Sequence, residues 1–154
     1  MAKVVDPKTI EALVTTAYPK PLDKVVEGRK KRKLTEALGL TQFGVNVTTL
    51  QPGAASSHRH WHVTEDEFCY VLEGELTLIS NEGEQVLKPG MAVGFPANDE
   101  NGHHLVNRSG KPTTYLEIGT RAAVDRCTYP DVDMLATKVG GKFEVRRKNG
   151  EPIA

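Results

Sequence analysis

From about residue 43 the chain alternates short β-favouring runs with turn signals, and the helical spacing of apolar residues disappears. Phe43 to Leu50 reads as a strand ended by Pro52-Gly53. Glu67 to Leu72 ends at Glu73-Gly74, Glu75 to Ile79 runs into Asn81-Glu82-Gly83, and Glu84 to Leu87 stops at Pro89-Gly90. Met91 to Phe95, His103 to Asn107 and Thr113 to Ile118 complete the series. Strands at such short, regular spacing predict a β-sandwich or barrel. The flanks read differently. Asp6 as N-cap and Pro7 at the first helical position predict a short helix over Pro7 to Val14, and Tyr18-Pro19-Lys20-Pro21 then favours extended chain. The basic run Arg29 to Lys33 reads as a solvated connection. Residues 121–141 read as an irregular segment wrapping the barrel, and Lys142 to Arg147 as a further edge strand. The expected organisation is an N-terminal extension (1–42) packing on a barrel (43–120), then a C-terminal segment (121–154).

A chain of 154 residues is expected to form one domain with a core of its own. Twenty basic and twenty acidic side chains cancel, so the footprint of a nucleic-acid binder is absent. Leu34 to Val45 faintly echoes the turn of a helix-turn-helix, but too few residues precede it, and Pro19, Pro21 and Gly28 interrupt them. No nucleic-acid partner is expected. No apolar run reaches the length of a membrane span, and no signal pattern opens the chain, so the expectation is a soluble, cytoplasmic protein. Two cysteines, Cys69 and Cys127, make no disulfide framework.

Candidate chemistry lies in the histidines. All five fall between residues 58 and 104, in the clusters His58-Arg59-His60-Trp61-His62 and His103-His104. On a strand, alternate side chains share a face, so His58, His60 and His62 point one way and Arg59 and Trp61 the other. Imidazoles two residues apart can lean onto one ion, at about 2.0–2.1 Å for zinc. Glu67 heads the apolar run Phe68 to Leu72, where a carboxylate is costly without a partner, and a cation is the natural one. The odd spacing from His62 to Glu67 requires Val63 to Asp66 to reset the strand parity as a turn or bulge. A rival register, His58 and His60 with Glu65, has the same internal spacing. Glu67 is favoured over Glu65 because it adjoins the buried strand. In the second cluster parity puts His103, Leu105 and Asn107 on one face and His104 and Val106 on the other, and spacing alone does not choose between the histidines. Cys69 should share the inward face of Glu67 and is read as core packing. Asn107 is read as a strand anchor.

These residues resemble the two motifs of the cupins, which fold as a jelly-roll barrel, or double-stranded β-helix. The first motif, Gly-x5-His-x-His-x3–4-Glu-x6-Gly, is similar to His60-x-His62-x4-Glu67-x6-Gly74. The second, Gly-x5-Pro-x-Gly-x2-His-x3-Asn, is similar to Gly90-x5-Pro96 and His103-x3-Asn107. Gly53 stands one residue further from His60 than the pattern has it, and Ala97 to Gly102 makes the second loop two residues longer. The resemblance covers roughly residues 43–120 and implies an all-β cupin barrel with a short N-terminal extension. It implies His60, His62, Glu67 and His103 as ligands of one divalent ion (zinc, iron, manganese, nickel or cobalt).

Four protein ligands with one carboxylate leave a dication formally at +1, a site suited to an anionic oxygen ligand. A metal-dependent enzyme on a small polar or anionic molecule is expected, of isomerase, dioxygenase or decarboxylase type. The small single-domain cupins it resembles are often named for sugar-phosphate isomerisation, although no glycine-rich phosphate cradle is visible here. The alternative is a cupin that binds or senses a small ligand without catalysis. Glu65, Asp66, His58 and Tyr70 are the candidate bases. Cupins commonly pair, so a homodimer is expected, with Phe43 to Leu50 and the C-terminal strand as candidate open edges.

Overall fold

The computed structural model describes residues 1–153 and is built almost wholly of antiparallel strands. In chain order they are β1 (Arg29–Lys33), β2 (Phe43–Leu50), β3 (Trp61–His62), β4 (Glu67–Glu73), β5 (Leu76–Ser80), β6 (Gly83–Leu87), β7 (Ala92–Phe95), β8 (His104–Val106), β9 (Thr113–Thr120), β10 (Val124–Tyr129), β11 (Met134–Val139) and β12 (Lys142–Arg146). They form three sheets, ordered β1-β2-β9-β4-β7, β12-β11-β10-β3 and β6-β5-β8. The all-β expectation holds, and the turn signals fall between strands where the sequence puts them. At the turn after β4, Gly74 takes a positive φ of 79°, and a Cβ there would lie 2.6 Å from Thr113 Oγ1. No helix among the described residues is long and apolar enough to cross a membrane.

Several flank readings change. The helix expected over Pro7 to Val14 stops after one 3-10 turn, Pro7–Thr9, capped by Asp6 Oδ1 accepting from Lys8 N (2.9 Å). Beyond it Leu13 exchanges two backbone hydrogen bonds with Lys31 (2.7 and 3.0 Å), which holds the chain extended. The basic run is strand β1 rather than a solvated connection. Its charges are accommodated because Arg29 donates to the Ser56 carbonyl (2.6 Å) and Lys31 pairs with Glu117 (2.9 Å). Consequently β2 is flanked by β1 and β9 and is no edge, whereas β12 is one. The helix-turn-helix echo forms a five-residue helix, Leu34–Leu38, that runs into β2. Residues 121–141 contain two full strands, β10 and β11, instead of an irregular wrap.

Two hydrophobic clusters result. One is centred on Leu50, Val71, Leu76, Leu87, Leu105 and Tyr115. The other gathers Cys127, Tyr129, Met134 and Ala136, with Tyr18 and Leu22 from the N-terminal extension packed against it. The histidine cluster lies where the three sheets meet.

Candidate metal centre and its cavity

The four predicted ligand side chains come from three backbone settings. His60 and His103 face each other across an isolated antiparallel bridge with both hydrogen bonds made (3.1 and 3.0 Å). His62 lies on β3, opposite Cys127 of β10. Between His62 and Glu67 the chain bends and passes from one sheet to another, so Glu67 on β4 recovers the inward direction that an unbroken strand would have denied it. Phe95, opposite Glu67 on β7, stacks flat on His103 with ring centroids 3.4 Å apart.

The side chains converge on the Glu67 carboxylate. Its Oε1 lies 3.3 Å from His60 Nε2 and 3.5 Å from His62 Nε2, and its Oε2 accepts from His103 Nε2 at 2.7 Å. The opposite nitrogen of each ring is held from outside. His60 Nδ1 donates to the His58 carbonyl (2.9 Å) and His103 Nδ1 to the Asn101 carbonyl (2.9 Å). His62 Nδ1 donates to Asp125 Oδ2 (2.5 Å). Carbonyl and carboxylate oxygens only accept, so all three Nδ1 atoms carry the proton and all three Nε2 atoms turn inward. Histidine ligands of metals are held in this way.

The electrostatics follow. Burial disfavours the Glu67 carboxylate, but the charge of His60 and hydrogen bonds from His103, His60 and His62 outweigh it and hold the carboxyl well below its ordinary range. Burial likewise opposes protonation of His60, yet Glu67 and Cys127 raise it to about 9. His62 is pushed up to about 12 against burial by its contacts with Cys127 and Glu67. The carboxylate is therefore satisfied by imidazole protons, which a bound dication would displace. The donor atoms of His60, Glu67 and His103 lie within 4.8 Å of one another, so the donor set fits a divalent ion with nitrogen and oxygen preference.

The site opens on a cavity of about 310 Å³, in the range that holds small molecules. Lys31, Lys138, Arg121, Glu65 and Glu117 line it beside Glu67. Lys31 pairs with Glu117, Lys138 with Glu65, and Arg121 reaches Glu36 at 3.5 Å. Of the four candidate bases only Glu65 reaches the cavity. Asp66 is exposed and accepts from Ala97 N (2.7 Å), Tyr70 is exposed on the outward face of β4, and His58 donates to the Leu22 carbonyl (2.8 Å), pinning the N-terminal extension. The rival register therefore loses His58 to the extension and Glu65 to Lys138. His103 is buried in line with Leu105 and Asn107, as parity placed it, while His104 turns its Nδ1 to the Ser57 carbonyl (2.8 Å). Asn107 donates to the Leu50 and Lys111 carbonyls (2.9 and 2.7 Å) and is a strand anchor. Cys69 shares the inward face of Glu67, and burial with the charges of Glu117 and Glu67 raises its thiol well above the usual range.

Lys31, Glu117, Asp125, Lys138 and the Asn101 carbonyl escaped the sequence reading. Strand parity along β9 would have shown Glu117, two residues from inward-facing Tyr115. In the longer second loop the Asn101 carbonyl accepts from His103 Nδ1, and Gly102 passes so near Pro130 that a Cβ would lie 2.7 Å from its Cγ.

Comparison with known proteins accords with this geometry. The profile of the family described as Cupin domain matches residues 46–119. A search of curated protein sequences found no significant match. Among solved structures, a sugar phosphate isomerase of the cupin superfamily from Silicibacter pomeroyi is 41% identical, with a TM-score of 0.94 over 99% of this chain and 97% of that one. A protein from Acidithiobacillus ferrooxidans, for which the same activity has been proposed, is 28% identical, with a TM-score of 0.74 over 82% of this chain and 80% of that one. The polyketide cyclase RemF from Streptomyces resistomycificus shares the fold at 20% identity, with a TM-score of 0.66 over 96% of this chain and 86% of that one. Motifs, fold and similarity along nearly the whole chain agree, and the protein belongs to the cupin superfamily.

Proposed function

We propose that this protein is a metal-dependent enzyme acting on a small polar or anionic molecule. The observation that carries the reading is the convergence of three Nε2 atoms on one carboxylate while every Nδ1 is held from outside as a donor. His60, His62, His103 and Glu67 would hold one divalent ion. Such an ion supplies Lewis-acid polarisation of a carbonyl or carboxylate, or redox chemistry where it is iron. The chain's own groups bind and orient the substrate. Phe95 keeps the His103 ring in one plane, and the paired charges of Lys31, Lys138, Glu65 and Glu117 offer hydrogen bonds to a polyhydroxylated or anionic substrate.

Isomerisation of a sugar phosphate is the favoured reaction. The 41% identical Silicibacter protein bears that name, and Lys31, Lys138 and Arg121 place cationic groups around the cavity for a phosphate. Dioxygenase and decarboxylase chemistry are the rival reactions on the same donor set. A second reading, binding without catalysis, draws on one observation. The lining carboxylates already have partners, Glu65 with Lys138 and Ala122 N (2.9 Å) and Glu117 with Lys31 and Thr48, which leaves neither poised as a base.

Elemental analysis of protein prepared without an affinity tag or chelator tests the metal. Zinc, manganese, nickel or cobalt near one per chain is the expected result, and iron would redirect the reading to dioxygen chemistry. No metal bound and none taken up on titration would end it. Incubation of the loaded protein with aldose and ketose phosphates in deuterated water, followed by proton NMR, tests the reaction. Exchange of the hydrogen next to the carbonyl with aldose–ketose conversion is expected. A loaded protein that binds these compounds and exchanges nothing would favour the binding module.

A further inference from the structure

The three histidines of the centre are held in different ways. His60 and His103 give their Nδ1 protons to main-chain carbonyls, which no side-chain substitution removes. His62 gives its proton to a side chain, Asp125, at 2.5 Å. We propose that Asp125 is a positioning residue for the metal centre, its carboxylate fixing the ring orientation and tautomer of His62 so that Nε2 faces the ion. This rests on the reading that His60, His62, Glu67 and His103 hold a divalent metal.

Asp125 lies on β10, outside the residues that the cupin-domain profile matches. It reaches His62 because β10 pairs with β3, with Cys127 opposite His62, and Asp125 stands two residues away on the same face as Cys127. Its side chain is 0% exposed, and both oxygens have donors, Oδ2 from His62 Nδ1 and Oδ1 from Thr64 N at 2.8 Å. A buried carboxylate is costly unless such donors satisfy it. Glu65 competes for the same ring nitrogen but stands 4.0 Å away, too far for a hydrogen bond, and is itself engaged by Lys138 and Ala122 N. That engagement also disfavours a second ion among His62, Glu65 and Asp125, although their donor atoms lie within 4.8 Å of one another. His62 Nδ1 and Asp125 are already spent on each other. What remains is the carboxylate–histidine arrangement that orients metal ligands.

Asp125→Asn tests the assignment. With its amide oxygen kept on Thr64 N, the amide nitrogen faces His62 Nδ1 as a donor. The ring must then carry its proton on Nε2, which removes the lone pair a metal needs. Zinc and cobalt(II) affinity by chelator competition should fall about 10–100-fold relative to the unaltered protein. The visible spectrum of the cobalt(II) form should change, and ¹⁵N ring NMR of the zinc form should show His62 released. A merely structural role would lower the melting temperature and leave affinity and spectrum alone, and that outcome overturns the proposal. If the variant does not fold, the unaltered zinc-loaded protein decides. A hydrogen-bonded His62 Nδ1–H with Nε2 bound to metal supports the proposal, and Nδ1 bound to metal refutes it. Should the unaltered protein take up neither metal, the functional reading itself fails. Equal loading of both proteins removes only the role of Asp125.

Discussion

The two hydrophobic clusters do different work. The first, around Leu50, Val71, Leu76, Leu87, Leu105 and Tyr115, is mostly aliphatic, and it welds the strands that carry the two motifs. The second is assembled from both flanks of the chain, with Tyr18 and Leu22 meeting Cys127, Tyr129, Met134 and Ala136. It backs the histidines directly. The Tyr129 ring is 5.8 Å from His60 and the Tyr18 ring 5.1 Å from His58. A barrel can be stabilised by shape-filling leucines alone, but ring nitrogens aimed at one carboxylate need neighbours that block rotation and accept protons. The motif strands supply the candidate ligands and the carbonyls that hold His60 and His103, and the C-terminal flank adds Asp125 on His62 and the Tyr129 ring beside His60.

The largest effect should come from the centre. Glu67→Gln removes the only carboxylate among the four candidate ligands, and metal content should fall from near one per chain to none by elemental analysis. Retained stoichiometry would separate the convergence from metal binding altogether. Core truncations should then part the two clusters. Leu76→Ala should cost about 2–5 kcal/mol in urea unfolding without changing metal affinity per folded molecule, because Leu76 is fully buried within the first cluster. Met134→Ala, equally buried in the second cluster, should cost a similar amount and also weaken metal binding. Equal metal affinities in the two variants would break the distinction.

Part of the acid sensitivity should come from the Lys31–Glu117 pair that lines the cavity. Burial alone would raise the Glu117 carboxyl, but Lys31 and the Thr48 hydroxyl lower it below its ordinary value. Its stabilisation is thus present above the unfolded value and is lost as pH falls through the lower folded one. Glu117→Gln should flatten the acid limb of the stability profile, and an unchanged limb would assign acid unfolding elsewhere. The smallest effect is expected at His58. His58→Ala removes one hydrogen bond to the Leu22 carbonyl, and thermal unfolding should register a loss of about 1 kcal/mol with full metal content. Loss of metal in that variant would restore the rival register.

What the sequence by itself determined is the part where polarity and burial agree. The period of the turns predicted a β-sandwich or barrel, β2 was legible to the residue, and the spacing of His60, His62 and Glu67 marked the candidate centre, with the resemblance to the cupin motifs choosing His103. Tertiary structure decided the rest, where the two disagree. Strands β10 and β11 alternate in burial, but Asp125 and Lys138 occupy inward positions while Val124 and Val139 are exposed. The hydrophobic pattern is inverted at those points, so no strand signal survives. Strand β1 hides in a run of five basic residues for the same reason. A charged side chain is buried only when a partner from a distant strand awaits it, as Glu117 awaits Lys31, Glu65 awaits Lys138 and His62 awaits Asp125. Those partners are set by the pairing of sheets, which local sequence does not encode.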